Sequence, residues 1–268
     1  MIDAVLFDLG DTIINFGIGR AEAEVLFQRG AKATYDFLGK RGKPLPPFRR
    51  YFKAHYHKMR NEYLWSKLIR RDFCYADVIA AANHRLQIPV QADEIPKLAW
   101  LWYEPILQAS SVDAGVGEML AHLRDSGTKL AIVSNTFVPN YCLDRHLESE
   151  GLLQYFPVRI YSSQVRYRKP HRRIFQMALE QMGVDAQHAV FIGDLPKADI
   201  RGAKRAGMKT VWKPAAKMSS SQSLVASTSE HQPSHGLTVA DRVIPYLTQL
   251  PDILLQLGWE DRSGTLKT

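Results

Sequence analysis

The segment AVLFDLGDTI, residues 4–13, decides how the rest of the chain is read. Residues 3–8, DAVLFD, form a short apolar run closed by Asp8, and such a run reads as a buried strand. Gly10, Asp11 and Thr12 follow, so two acids, Asp8 and Asp11, stand three residues apart with a glycine between them. An acid at a strand end either starts a turn or stands where a parallel sheet presents its ligands. The segments downstream choose between these readings.

Further apolar runs recur as KLAIVS (129–134), PVRIYS (157–162), AVFIG (189–193) and KTVW (209–212). Helical patterns lie between them. VGEMLAHLRDSG (116–127) places Val116, Met119, Leu120 and Leu123 three and four apart and stops at Gly127. HRRIFQMALEQMG (171–183) repeats the pattern and stops at Gly183. DIRGAKRAGM (199–208) is expected to start at a capping-type residue, Asp199, and to stop at Gly207. Short apolar strands alternating with amphipathic helices predict an α/β fold, a doubly wound Rossmann-like parallel sheet covered on both faces. Ligands in such sheets sit beyond the carboxyl ends of the strands, where Asp8, Ser134 and Asp194 all fall.

Residues 16–106 depart from this alternation. They are long, aromatic and helix-like, broken by a turn at KPLPP. They predict an α-helical cap inserted after the first strand, which leaves an α/β core of 1–15 and 107–268. The stripe Phe27, Ala31, Thr34, Phe37 and Leu38 reads as packing. His55 and His57 stand two apart, do not share a helix face and are not read as a metal pair. Residues 214–236, rich in serine and without periodicity, are expected to be a flexible surface insertion. ADRVIPYLTQLPDILLQLG after them resumes a helical pattern and is expected to dock on the core.

The chain has 268 residues, of which 46% are hydrophobic, enough for a sizeable core. No stretch approaches the roughly 18 apolar residues of a membrane span, and no basic-then-apolar leader opens the chain, so no membrane association or signal peptide is expected. Cys74 and Cys142 lack metal-ligand spacing and read as free thiols of a cytoplasmic protein. The net charge is +8, with basic runs at 49–50, 70–71 and 166–173. No nucleic-acid-binding signature accompanies them, so the charge is expected to steer a small phosphorylated molecule or to have no function, rather than to bind nucleic acid.

Four spaced features now line up: Asp8 after strand one, SNT (134–136) after a second strand, RKP (168–170) before a helix, and GDLPKAD (193–199) after a later strand. With an inserted helical cap, this order resembles the haloacid dehalogenase (HAD) superfamily, whose members are mostly phosphatases. The resemblance covers the chain apart from the serine-rich segment. It implies that Asp8 is a nucleophile forming an aspartyl-phosphate, with Mg²⁺ as cofactor. Asp8, Asp194 and the Gly10 carbonyl would bind the metal, and Asp199 would ligate it or hold its waters. Ser134 would bind a phosphate oxygen, Lys169 would neutralise charge on Asp8 and the phosphoryl group, and Asn135 would face substrate. The physical need is plain, since an anionic nucleophile meets an anionic ester only where cations draw them together.

The departure from the family pattern lies in the opening segment. The usual motif is Asp-x-Asp-Gly-Thr, and here the same positions read Asp8-Leu9-Gly10-Asp11-Thr12. Thr12 is in register, so the second acid and the glycine have changed places. In the family that second acid is the general acid and base, help worth on the order of 10²–10⁴ in rate. Asp11 does not simply inherit the role, because one step along an extended chain moves a side chain about 3.3 Å and to the opposite side. The alternatives are a catalytically impaired phosphate-binding or regulatory protein, a phosphonatase-type hydrolase using a cap lysine such as Lys53, Lys58 or Lys67, or a dehalogenase-type hydrolase.

Overall fold

The computed structural model describes residues 1–69, 71–215 and 240–263. Most of the serine-rich segment expected at 214–236 therefore lies outside the described residues. β1 (Ala4–Phe7) is buried along its whole length. Val5 and Phe7 join one core cluster, and Ala4 and Leu6 join the other. A strand covered on both faces has no solvent side to make polar, which is why AVLF shows no alternation.

β1 pairs in parallel with β4 (Lys129–Ser134) on one side and β6 (Ala189–Gly193) on the other. β5 (Val158–Tyr161) lies outside β4, while β7 (Lys209–Trp212) and β8 (Arg242–Val243) lie outside β6. The sheet is six-stranded and parallel, in the order β5-β4-β1-β6-β7-β8. From β1 the chain winds first to the β4 side and later back to the β6 side. Asp8 thus ends β1 at the switch point of a doubly wound sheet, where such folds form their ligand crevice.

Helices cover both faces. α5 (Val116–Asp125) and α6 (Asn140–Ser149) pack Val116, Met119, Leu120, Leu123, Leu143 and Leu147 onto one face. A single helical turn, α7 (Ser162–Val165), follows β5. α8 (Arg172–Met182) packs Ile174, Phe175, Ala178, Leu179 and Met182 onto the other face, with Ala203 of α9 (Arg201–Arg205) beside it. Gly183 ends α8 at φ 61°, the left-handed position that favours glycine.

The chain leaves the sheet through β2 (Ile14–Asn15) and returns through β3 (Ser111–Val112), and these pair antiparallel. Between them lie α1 (Arg20–Lys40), α2 (Phe48–Ile69), α3 (Tyr75–Arg85) and α4 (Ile95–Gln108). α4 runs to Gln108, slightly past the expected return to the core at 107. Gly30 lets α1 meet α4 closely, since a Cβ there would lie 2.7 Å from the Trp102 carbonyl oxygen. His55 is buried, pairs through Nδ1 with the Tyr51 carbonyl at 3.0 Å, and lies against the Tyr51 and Trp102 rings. Burial pushes its pKa down to about 4, so it is a neutral packing residue.

Two local expectations are corrected. The segment after 239 is not helical throughout: Arg242–Val243 adds the edge strand β8, and the helix α10 covers only Leu250–Gln256. A two-residue strand is too short to carry a period of its own. Asp199 does not precede its helix as a cap. A π-type turn over Pro196–Ile200 begins earlier and places Asp199 inside it, its N–H bonded to the Leu195 carbonyl at 2.8 Å. Among the described residues no helix is long and apolar enough to cross a membrane.

Candidate active site

Asp8, Ser134 and Asp194 stand at the carboxyl ends of three neighbouring strands, β1, β4 and β6. Lys169 enters from the loop before α8. Its Nζ lies 2.8 Å from Asp8 Oδ1 and 2.7 Å from Asp199 Oδ1, and its side chain is 1% exposed. The Leu9 N–H donates to the same Asp8 Oδ1 at 2.7 Å, leaving Oδ2 clear of the described hydrogen bonds. Asp199 Oδ2 accepts from the Leu195 N–H at 2.9 Å. Gly193 makes room for this arrangement, because a Cβ there would sit 2.5 Å from the Asp199 side chain. Ser134 is buried, and its hydroxyl makes no hydrogen bond within the described residues.

Asn135 is placed beside Lys169. Nδ2 donates to the Lys169 carbonyl at 3.0 Å, and Oδ1 accepts the Lys169 N–H at 2.7 Å. Both polar ends of this side chain hold the Lys169 backbone.

The carboxylates are under electrostatic stress. Burial pushes Asp8 up to about 6, with Lys169 opposing and Asp199 adding to the rise. Burial, then the negative charges of Asp8 and Asp199, push Asp194 up to about 8. Burial works against the Lys169 ammonium, yet Asp199 and Asp8 outweigh it and hold its pKa above the ordinary lysine value. One contacting ammonium faces three acids whose oxygens lie within 4.8 Å of one another. A buried, all-oxygen donor set with surplus negative charge fits a hard divalent cation such as Mg²⁺.

The opening pair of acids separates clearly. Asp11 adopts φ 54°, a left-handed conformation that Asp tolerates better than most residues. Its Oδ1 accepts the N–H groups of Phe16 and Gly17 at 3.0 and 3.3 Å. Its N–H donates to the Ile14 carbonyl at 2.7 Å. Asp11 thus fastens the turn that leads from β1 into β2. At position 10, a Cβ would lie 3.2 Å from the Phe16 ring. An aromatic edge therefore stands where the missing side chain would begin.

Lys213 was not singled out from the sequence. It follows β7, is buried, and donates from Nζ to the Asp11 carbonyl at 3.0 Å. Burial lowers its pKa, while Asp113, Asp11 and Asp194 favour its charged form. The available signal was its place just after an apolar strand on the edge that carries Asp194. A second missed group joins the helical segment to the core. The Arg168 guanidinium meets Asp72 Oδ1 at 3.0 Å and Ser66 Oγ at 3.2 Å. Ser162 donates to Asp72 Oδ2 at 2.6 Å and accepts the Thr136 N–H at 2.8 Å. Arg168 is next to Lys169, so this network ties the end of α2 to the loop carrying the site lysine.

The parallel sheet, its switch-point aspartate and the strand-end acids together define a HAD-type hydrolase. The sequence profile of the haloacid dehalogenase-like hydrolases matches residues 2–207, and the chain belongs to that family. A phosphoserine phosphatase of Thermus thermophilus is 39% identical over 93 residues, 35% of this chain and 36% of that enzyme. The chain thus matches little more than a third of that relative's length. The crystal structure of a HAD phosphatase from Thermococcus onnurineus is 27% identical, with a TM-score of 0.55 over 94% of this chain and 98% of that one. A 2-haloacid dehalogenase from Pseudomonas syringae pv. Tomato DC3000 is 24% identical, with a TM-score of 0.60 over 96% of this chain and 100% of that one, a likeness of fold.

Proposed function

We propose that the chain is a Mg²⁺-dependent phosphatase that hydrolyses a small phosphorylated metabolite through a phosphoryl group on Asp8. The observation that carries this reading is the buried Lys169 bridge between Asp8 and Asp199, 2.8 and 2.7 Å long, at the switch point of the sheet. The phosphatase relatives support the same reaction class. The core comprises 1–15 and 107–268, and the helices within 16–106 act as a cap that selects substrate.

Asp8 and Asp194 would hold the cation with the Gly10 carbonyl, and Asp199 would stand beside them. The cation would supply positive charge between the Asp8 carboxylate and the incoming phosphate. Lys169 holds Oδ1 of Asp8, which orients Oδ2 for attack on phosphorus. As the Oδ2–phosphorus bond forms, the bond to the leaving oxygen breaks. The Ser134 hydroxyl and the Lys169 ammonium stabilise the oxygens of the transferring group. Water then attacks phosphorus, the aspartyl bond breaks, and phosphate leaves. Asn135 serves this chemistry by fixing the Lys169 backbone. Gly10 has no proton to give, so the leaving oxygen takes its proton from solvent. Good leaving groups, such as anomeric or acyl phosphates, are favoured accordingly.

The test is phosphate release from a panel of phosphorylated metabolites. Release is expected with Mg²⁺ and is lost on chelation. Retained binding of phosphate and metal with no release from any substrate overturns the enzyme reading in favour of a regulatory phosphate-binding protein. A narrower outcome concerns Asp11. Asparagine keeps a side-chain oxygen for the Phe16 and Gly17 N–H groups and tolerates the left-handed backbone. Turnover in Asp11→Asn is therefore expected to stay within a few-fold of wild type. A loss in the general acid–base range, about 10²-fold or more, would give Asp11 a proton-transfer role.

A further inference from the structure

The basic pair at 49–50 has no part in the chemistry above. Arg49, Arg50, Lys53 and His57 of α2 and Arg85 at the end of α3 line an open groove of about 590 Å³ with Pro47, Ala54 and Leu86. No acid lines it, and the four strong cations make no ion pair or side-chain hydrogen bond within the described residues. Several other cations of the helical segment are neutralised: Lys32 by Asp36, Arg41 and Lys43 by Glu94, and Lys58 by Glu62. The groove brings four strong cations together with no acid in its lining.

Its cations are also placed at local cost. Arg49 and Arg50 occupy the first turn of a 22-residue helix that has no acid there. That end carries the positive pole of the helix, which disfavours cations. Lys53 repeats the charge three and four residues on, where like charges repel. Positions that oppose the fold's own electrostatics while converging on a pocket are relieved by a bound anion.

We propose that this groove is a binding site for a small organic polyphosphate of nucleoside di- or triphosphate size. Guanidinium groups take phosphate oxygens in paired hydrogen bonds, and three arginines with a lysine suit two or more phosphates. Pro47, Ala54 and Leu86 offer an apolar floor for the organic part. The volume falls in the range that holds small ligands. A single-stranded nucleic acid fits less well, because no tyrosine, phenylalanine or tryptophan lines the groove for successive bases to stack on. The site is distinct from the catalytic one. Residues 50–53 lie some 20 Å along α2 from Ser66, at about 1.5 Å per residue, and Ser66 is the end that meets Arg168 beside the site lysine.

The experiment is calorimetric titration of the full chain with ATP, and separately with inorganic tripolyphosphate, in EDTA so that neither is hydrolysed. Both are expected to bind, more weakly as salt rises. Arg50→Glu/Lys53→Glu is expected to weaken ATP at least tenfold, while Asp8→Asn changes it less than twofold. The double variant places acids at a helix start, so its melting temperature without ligand is expected to equal or exceed wild type, which separates lost binding from lost folding. Absent binding, an affinity unchanged in the double variant, or one that moves with Asp8→Asn instead, overturns the proposal. So does an oligonucleotide affinity that exceeds that of ATP and climbs with length.

Discussion

Asp8→Asn is expected to cut phosphate release by at least about 10⁴-fold, the scale on which single members of a nucleophilic machinery fail. The substitution keeps the shape of the side chain. Its amide oxygen can still accept the Leu9 N–H and lie against Lys169, so the site is not dismantled. What is lost is the anionic oxygen that forms the bond to phosphorus. Stability is expected to hold or rise, since burial already pushes Asp8 up to about 6 and the change removes one of three crowded acids. Two measurements check this together: steady-state release, and mass spectrometry of acid-quenched enzyme. Wild type is expected to show a phosphate adduct on the peptide containing Asp8, and the variant none. Release within about tenfold of wild type would place the nucleophile elsewhere.

The parts of this site that could be read in the sequence share a physical cause. Asp8, Ser134 and Asp194 each close an apolar run, and buried parallel strands write themselves as such runs. Lys169 was legible only through the family resemblance, with RKP standing before a periodic helix. The sheet followed from the same alternation. What escaped was set by loop conformation rather than by period. Asn135 sits next to Ser134, yet only the folded path of the 169 loop decides that its amide meets that backbone. Lys213 reaches the Asp11 carbonyl across a sequence separation of 202 residues. Asp11 itself was readable as displaced from the family position, but its work as a turn fastener depends on a left-handed backbone and on Phe16 and Gly17. β8 was missed because two residues carry no period.

Lys169→Met is expected to damage stability as well as activity, and the two losses have one origin. The ammonium lies against Asp8 and Asp199 with almost no exposure. Taking away one partner of a buried ion pair leaves uncompensated charge, at about 3–5 kcal/mol. For a chain of this size that is a melting temperature lower by roughly 10 °C. The loss should depend on pH in a definite direction. Asp8 and Asp194 already have folded pKa values near 6 and 8, above the ordinary aspartate value of 3.8. An acid with a raised folded pKa binds more protons folded than unfolded between the two values, so stability rises as pH falls through that window. Removing Lys169 raises these values further. The deficit against wild type is therefore expected to be largest near pH 8 and to shrink towards pH 5. Lys169→Arg separates the two roles: its charge is retained and much of the stability with it, while the longer planar head misplaces Asp8 and turnover stays low. Melting curves at both pH values, set beside phosphate release, decide the matter. A Lys169→Met deficit that is the same at pH 5 and pH 8 would mean that this lysine does not hold the carboxylates in their charged state.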